Sequence, residues 1–204
     1  MNPNQQSGQQ QDQQLASRLL DTIEVDILPL TERGVAAGNK IFGAALLNKH
    51  DLSTFLAETN NELENPLWHG EMHLLKRYYE LPPDNRPQPS DLIFLSTHEP
   101  CSLCLSAITW TGFDNFYYFF SHQDSKDAFA IPHDLKILKE VFDVEPGGYR
   151  RSNEFWTCRS VQEVVSNTPD ASTFEPQIKS IGKHYDDLSA IYQQGKATNH
   201  IPLN

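Results

Sequence analysis

Two short segments hold residue types that could do chemistry together: His69-Gly70-Glu71 and Pro100-Cys101-Ser102-Leu103-Cys104. One imidazole and two thiolates make three zinc ligands, and the C-x-x-C spacing lets both sulfurs meet one ion at a helix N-terminus. Three protein ligands leave the fourth tetrahedral position to water, which separates a catalytic zinc from a structural one. Zinc can lower the pKa of such a water from about 15.7 to about 7, making a hydroxide-like nucleophile at neutral pH. Glu71, one residue removed from the ligand His69, is placed to move protons. A buried carboxylate with a raised pKa suits general acid/base work, and that role, not ligation, is expected for it.

Other readings of these residues compete. A redox C-x-x-C also opens a helix after a strand, but the upstream H-x-E tips the balance toward metal. His73 lies four residues after His69, on the same helix face. His69, His73, Cys101 and Cys104 could then close a Cys₂His₂ structural site with no open position. The string His-Gly-Glu-Met-His is not H-E-x-x-H, so a metalloprotease reading fails.

The elements that must position these groups follow from periodicity. Residues 15–38 suit a helix, broken or kinked at Pro29 and stopped by glycine. Residues 41–47 form a short buried run, a strand that can pair with 53–58. Residues 68–79 are helical and end at Pro82-Pro83; 91–97 form a strand; a helix starts at Pro100 and runs to Thr111. The aromatic run 115–120 suits a strand buried on both faces of a parallel sheet. Residues 135–142 and 178–194 are further helices, the latter with Ile181, Tyr185, Leu188 and Tyr192 at helical spacing. This is an α/β order, with both candidate motifs at helix starts near strand ends, where such sheets bind ligands. The chain divides into a Gln-rich disordered tail (1–14), one domain (15–165), and a linker with a helical extension (166–204).

Composition narrows the function classes. The 204 residues carry a net charge of −11 and no basic run, which weighs against a polynucleotide partner. No apolar stretch approaches the ~20 residues of a membrane span, and no basic start with an apolar run marks a signal peptide. A soluble, cytoplasmic protein acting on a small molecule is expected. Three cysteines make no disulfide framework, and Cys158 is expected to be a plain free thiol. Phe155-Trp156 is expected to anchor the C-terminal tail.

The two motifs together, H-x-E … P-C-x-x-C, resemble the signature of zinc nucleobase deaminases. The likeness runs from Ile41 to about Asp134. Phe42-Gly43-Ala44-Ala45-Leu46 resembles the P-F-G-A-x-[ILV] strand of the cytidine deaminase superfamily, with Ile41 in place of the proline. Asn65 to Glu71 resembles its D-P-T-A-H-A-E block, and Thr97 to Ile108 its T-x-E-P-C-x-M-C-x-G-A-I block. Within it, the chain looks most like the branch of cytosine, guanine and tRNA-adenosine deaminases.

The resemblance implies a three-layer α/β/α fold around a mixed, mainly parallel five-stranded sheet, a catalytic Zn2+, and often a homodimer. It implies hydrolytic removal of an exocyclic amine, as ammonia, from a nucleobase, nucleoside or related heterocycle. It also implies three substrate contacts. Asn60, or Asn61 beside it, fits the family's substrate-binding Asn, and as an alternative is a turn residue. Trp68, where the family has a small residue, is a pocket wall or simply core. Asp124 sits where guanine deaminases have a base-contacting Asp nearby, and as an alternative is a helix cap or turn residue. Gly70 replaces the commoner alanine, as in fungal-type cytosine deaminases. The alternatives to the main reading are tRNA adenosine deamination, which needs a basic groove, and a non-catalytic zinc-binding module, which has no need of Glu71.

Overall fold

The computed structural model describes residues 3–145 and 148–203, with residues 3–5 as backbone only. Five strands form one sheet in the order β2-β1-β3-β4-β5. They are β1 (Gly43–Asn48), β2 (Thr54–Thr59), β3 (Leu92–His98), β4 (Asn115–Phe120) and β5 (Thr157–Ser160). β1 pairs antiparallel with β2 and β3, while β3–β4 and β4–β5 are parallel. The sheet is therefore mixed, as expected, though divided evenly between antiparallel and parallel pairings instead of mainly parallel, and its parallel half carries the cysteine motif.

Side chains alternate across a strand, so each strand feeds two faces. Ala44, Leu46, Leu92, Phe94, Phe116 and Tyr118 point to one face. Helices α3 (Gly70–Glu80) and α4 (Ser102–Trp110) cover it with Leu74, Leu75, Tyr78, Leu105 and Ile108. Ala45, Leu47, Ile93, Leu95 and Phe119 point to the other face. There they meet α1 (Pro3–Asp21), α2 (Leu28–Ala36), α7 (Val161–Ser166) and α8 (Glu175–Gly195). Two small helices, α5 (His122–Asp127) and α6 (His133–Phe142), follow β4. The result is the expected three-layer α/β/α sandwich, and its central strands are near-continuous apolar runs because both faces are buried.

The chain's two ends differ from the sequence expectation. The Gln-rich stretch is helical from Pro3 onward, not disordered; Met1 and Asn2 lie outside the described residues. Glutamine is a good helix former, and the stretch is contiguous with the buried Ala16, Leu19, Leu20 and Ile23. Asp12 also anchors it, taking both Arg159 guanidinium nitrogens at 2.8 and 2.9 Å. The interruption expected at Pro29 takes the form of a π-helical turn, Thr22–Ile27, just before it. Proline lacks the N–H and crowds the preceding turn, which a widened turn relieves. β5 and α7 were not foreseen; the capping box of Ser160 and Glu163 is the local signal that marks the start of α7. The helix expected over 178–194 is present, burying Ile181, Tyr185, Leu188 and Tyr192. No helix among the described residues is long and apolar enough to cross a membrane.

Candidate metal centre and active site

Both motifs sit where a strand or loop turns into a helix. His69 is the N-cap of α3 and Cys101 the N-cap of α4, so neither ligand side chain is spent inside a helix. Cys104 lies in the first turn of α4. Pro100, expected within that turn, stands just ahead of the cap. The positive ends of both helix dipoles converge here and favour thiolate. The turn carrying Cys101 is anchored through the buried Glu99. Its N–H donates to Phe120 O at 2.7 Å. Its carboxylate accepts from the His122 N–H at 2.9 Å and from the Tyr149 hydroxyl.

Contact between β1 and α3 explains Gly70. A Cβ there would lie 2.9 Å from Gly43 Cα, Gly43 N and Phe42 O, all backbone. Gly43 itself is held by Thr97, whose hydroxyl accepts from its N–H at 2.9 Å and donates to its carbonyl at 3.0 Å. The alanine common in the resembled family has no room. Gly70→Ala is expected to destabilise the fold by about 1–3 kcal/mol, the usual cost of overpacking, seen as a lowered Tm in thermal unfolding.

His69 Nδ1 lies 3.4 Å from Cys101 Sγ and 3.7 Å from Cys104 Sγ, and the two sulfurs are 3.6 Å apart. Tetrahedral zinc with Zn–S of about 2.3 Å and Zn–N of about 2.05 Å demands S···S of about 3.8 Å and N···S of about 3.6 Å. The donor set therefore fits a zinc ion without rearrangement. Among the described residues this is the one cluster of three or more His, Cys, Asp or Glu able to hold a metal. The thiols are not equivalent. The sulfur–sulfur contact with Cys104 holds the Cys101 thiol well below its ordinary value, while burial pushes Cys104 well up. Burial pulls His69 down, but the Cys101 sulfur and the Glu62 and Glu71 carboxylates outweigh it and raise the imidazole to about 9.

His73 does not complete a fourth corner. Its Nδ1 is 2.9 Å from Thr59 O and 3.4 Å from Glu58 Oε2, turned away from the sulfurs. A closed Cys₂His₂ arrangement has no support in this geometry.

Glu71 is buried beside the triangle. Its carboxylate accepts from Ser96 Oγ at 2.8 Å and from the Cys104 thiol at 3.4 Å. Ser96 reaches it because the β1–β3 register sets Ser96 opposite Ala44, on the face that carries α3. Burial, then the negative charge on Cys101, raises the Glu71 pKa. A buried carboxylate beside the ligand cluster is placed for general acid/base work.

A cavity of about 270 Å³ opens on His69 and Cys101. Pockets for drug-sized ligands run to roughly 300–1,000 Å³, so this one suits a small heterocycle. Its apolar walls include Phe42, Leu67, Ile131 and Ile137, and Pro202 and Leu203 of the C-terminal extension line it too. Beside the two ligand residues, its polar groups are Lys40, Glu62, Ser102, His133 and Asp134. Asp134 lies in the first turn of α6, and burial with the nearby Cys101 charge raises it to about 7.

The expected substrate contacts are placed elsewhere. Asn60 is buried, but its amide donates to Glu62 Oε2 at 2.6 Å and it does not line the cavity. Asn61 turns outward and donates to Glu64 at 2.8 Å. Trp68 does not line this cavity: its ring stacks on His73 at 5.7 Å and carries Lys76 Nζ 4.7 Å above it. Asp124 closes a capping box with Ser121 at the start of α5 and is exposed, which is its cap reading. Sequence reasoning missed Lys40, Glu62, His133 and Asp134. No spacing rule ties them to the two motifs, because they come from separate loops and a helix start.

Residues 26–120 match the family model described as the cytidine and deoxycytidylate deaminase zinc-binding region. No curated protein matches. Among solved structures, a guanine deaminase from Bacillus subtilis is 27% identical, covering 59% of this chain and 75% of that one, with a TM-score of 0.49. A guanine deaminase from Nitrosomonas europaea is 18% identical, covering 84% of this chain and 81% of that one, with a TM-score of 0.50. A tRNA:A34 deaminase is 17% identical, covering 76% and 94%, with a TM-score of 0.45.

Proposed function

We propose that this chain, whose segment 26–120 carries the zinc-binding region of the cytidine deaminase superfamily, is a zinc-dependent hydrolytic deaminase of a small aminated heterocycle. The observation that carries the reading is the His69–Cys101–Cys104 triangle with the buried Glu71 carboxylate against it, beside a small cavity that His69 and Cys101 line. The zinc these three residues would hold supplies an activated water at neutral pH. Glu71 takes a proton from the attacking water and delivers it to the ring nitrogen beside the amine-bearing carbon. It then takes the second proton, from the hydroxyl newly attached to that carbon, and gives it to the departing amine, so a C–O bond forms, the C–N bond breaks and ammonia leaves. The apolar walls hold the ring flat and keep bulk water out. Asp134, and His133 beside it, face the ring's polar edge, where a carboxylate accepts from ring or exocyclic N–H groups.

The test is ammonia release from a panel of aminated bases, nucleosides, nucleotides and pterins, with a metal-free preparation as control. Release from a panel member, lost without metal, is the expected result; silence across the panel with zinc bound defeats the reading. In the same assay Asp134→Asn is expected to raise KM about 10- to 100-fold for the accepted substrate, with kcat changed less, as loss of one hydrogen bond to a charged group does. An unchanged KM removes Asp134 from the site. The homodimer implied by the resemblance belongs to the same proposal and is read by sedimentation of the purified chain.

A further inference from the structure

The cavity holds one more buried group of charges, for which the reading above has no task. Lys40 Nζ and Glu62 Oε1 are paired at 3.0 Å, with the residues 6% and 4% exposed. A buried pair of this kind is a weak stabiliser, because desolvation offsets most of its attraction. Its surroundings suggest a different use. Glu62 Oε2 accepts from Asn60 Nδ2 at 2.6 Å, and the Glu62 N–H donates to Asn60 Oδ1 at 3.1 Å. The carboxylate is thus held from two sides. Its Oε1 lies 3.7 Å from His69 Nε2. His69 turns its other nitrogen, Nδ1, to the two sulfurs. Glu62 therefore stands at the ring nitrogen that a metal does not use. A metal-bound imidazole commonly gives that N–H to a carboxylate, which fixes both tautomer and ring orientation.

We propose that Glu62 is a positioning residue of the metal centre. Lys40 and Asn60 hold its carboxylate, and the carboxylate holds His69 with Nδ1 toward Cys101 and Cys104. At 3.7 Å the carboxylate faces the Nε2–H of the neutral, metal-bound imidazole as an electrostatic contact, longer than a hydrogen bond. This gives Asn60 the work of bracing Glu62. It also gives the buried lysine a reason: without Lys40, Glu62 would be an uncompensated buried charge. The inference rests on the zinc reading of the triangle.

The experiment equilibrates the full chain with zinc and a competing chelator, and records the visible spectrum of the cobalt(II)-substituted protein. Glu62→Gln is expected to weaken zinc binding about 10- to 100-fold and to alter the cobalt ligand-field bands. Glu62→Asp should recover part of the loss. The double variant Lys40→Met/Glu62→Gln removes both charges, so it should unfold near the wild-type Tm while holding zinc as weakly as the single variant. That variant carries the test if Glu62→Gln alone does not fold. Wild-type zinc affinity with an unchanged cobalt spectrum in either variant overturns the proposal. A wild-type chain that takes up no zinc, or that keeps its zinc after Cys101→Ala, overturns the metal reading and this inference with it. The wild-type and Cys101→Ala samples thus distinguish that failure from one confined to Glu62.

Discussion

Glu71→Gln should give a protein that folds, holds zinc and deaminates about 10²–10⁴-fold more slowly, the range lost with a general acid/base. The substitution conserves shape. A glutamine carbonyl still accepts from Ser96 Oγ, now 2.8 Å from the carboxylate, so the packing under α3 has no cause to change. The protonatable oxygen is what disappears. Glu71 is not one of the three clustered ligand residues, so zinc content should match wild type. Metal analysis and ammonia release on one preparation check both halves. Turnover within about tenfold of wild type would show that another group carries the proton. Loss of zinc would show that the carboxylate is a ligand after all.

Cys104→Ala should remove the metal and the activity together. Its sulfur is fully buried and forms two edges of the ligand triangle, at 3.6 Å to Cys101 and 3.7 Å to His69. Zinc sites of four ligands bind with roughly 10–16 kcal/mol, so one ligand is worth about 3 kcal/mol, or at least a 10²-fold loss of affinity. Dialysis against a mild chelator followed by metal analysis reads this directly. Cys158→Ala is the control. It too is buried, but it lies on β5, outside the clustered ligands, and it should keep its zinc. A Cys104→Ala protein that stays fully loaded would mean the ion sits elsewhere. Thermal unfolding of the two variants, each with and without zinc, separates loss of metal from loss of packing.

Much of the fold was legible because it is written in local periodicity. The apolar runs at 41–47, 91–97 and 115–120 lie within or around β1, β3 and β4, since a strand buried on both faces needs apolar residues at every position. The stripe Ile181, Tyr185, Leu188 and Tyr192 foretold α8. The Gln-rich start reads as disorder because it holds almost nothing to bury. Its helix is held by Asp12 reaching Arg159, a contact between distant positions that no window of sequence contains. β5 escaped for a related reason: four residues with one buried side chain carry too little pattern to stand out.

The same division runs through the site. What the sequence determined alone is the metal triangle's donors and the neighbouring carboxylate. His69 and Glu71 flank one residue, Cys101 and Cys104 share one turn, and helix geometry over so few residues leaves little freedom. What only the tertiary structure decided is everything that faces the cavity from elsewhere. The β1–β3 register brings Ser96 under Glu71 and presses Gly43 against Gly70, so that only glycine fits there. Lys40, Glu62 and Asp134 arrive from segments far apart in the chain. Trp68, adjacent to a ligand in sequence, points instead toward His73. Spacing constrains atoms only within a turn or two of backbone; beyond that, which side chains meet is set by how the layers stack.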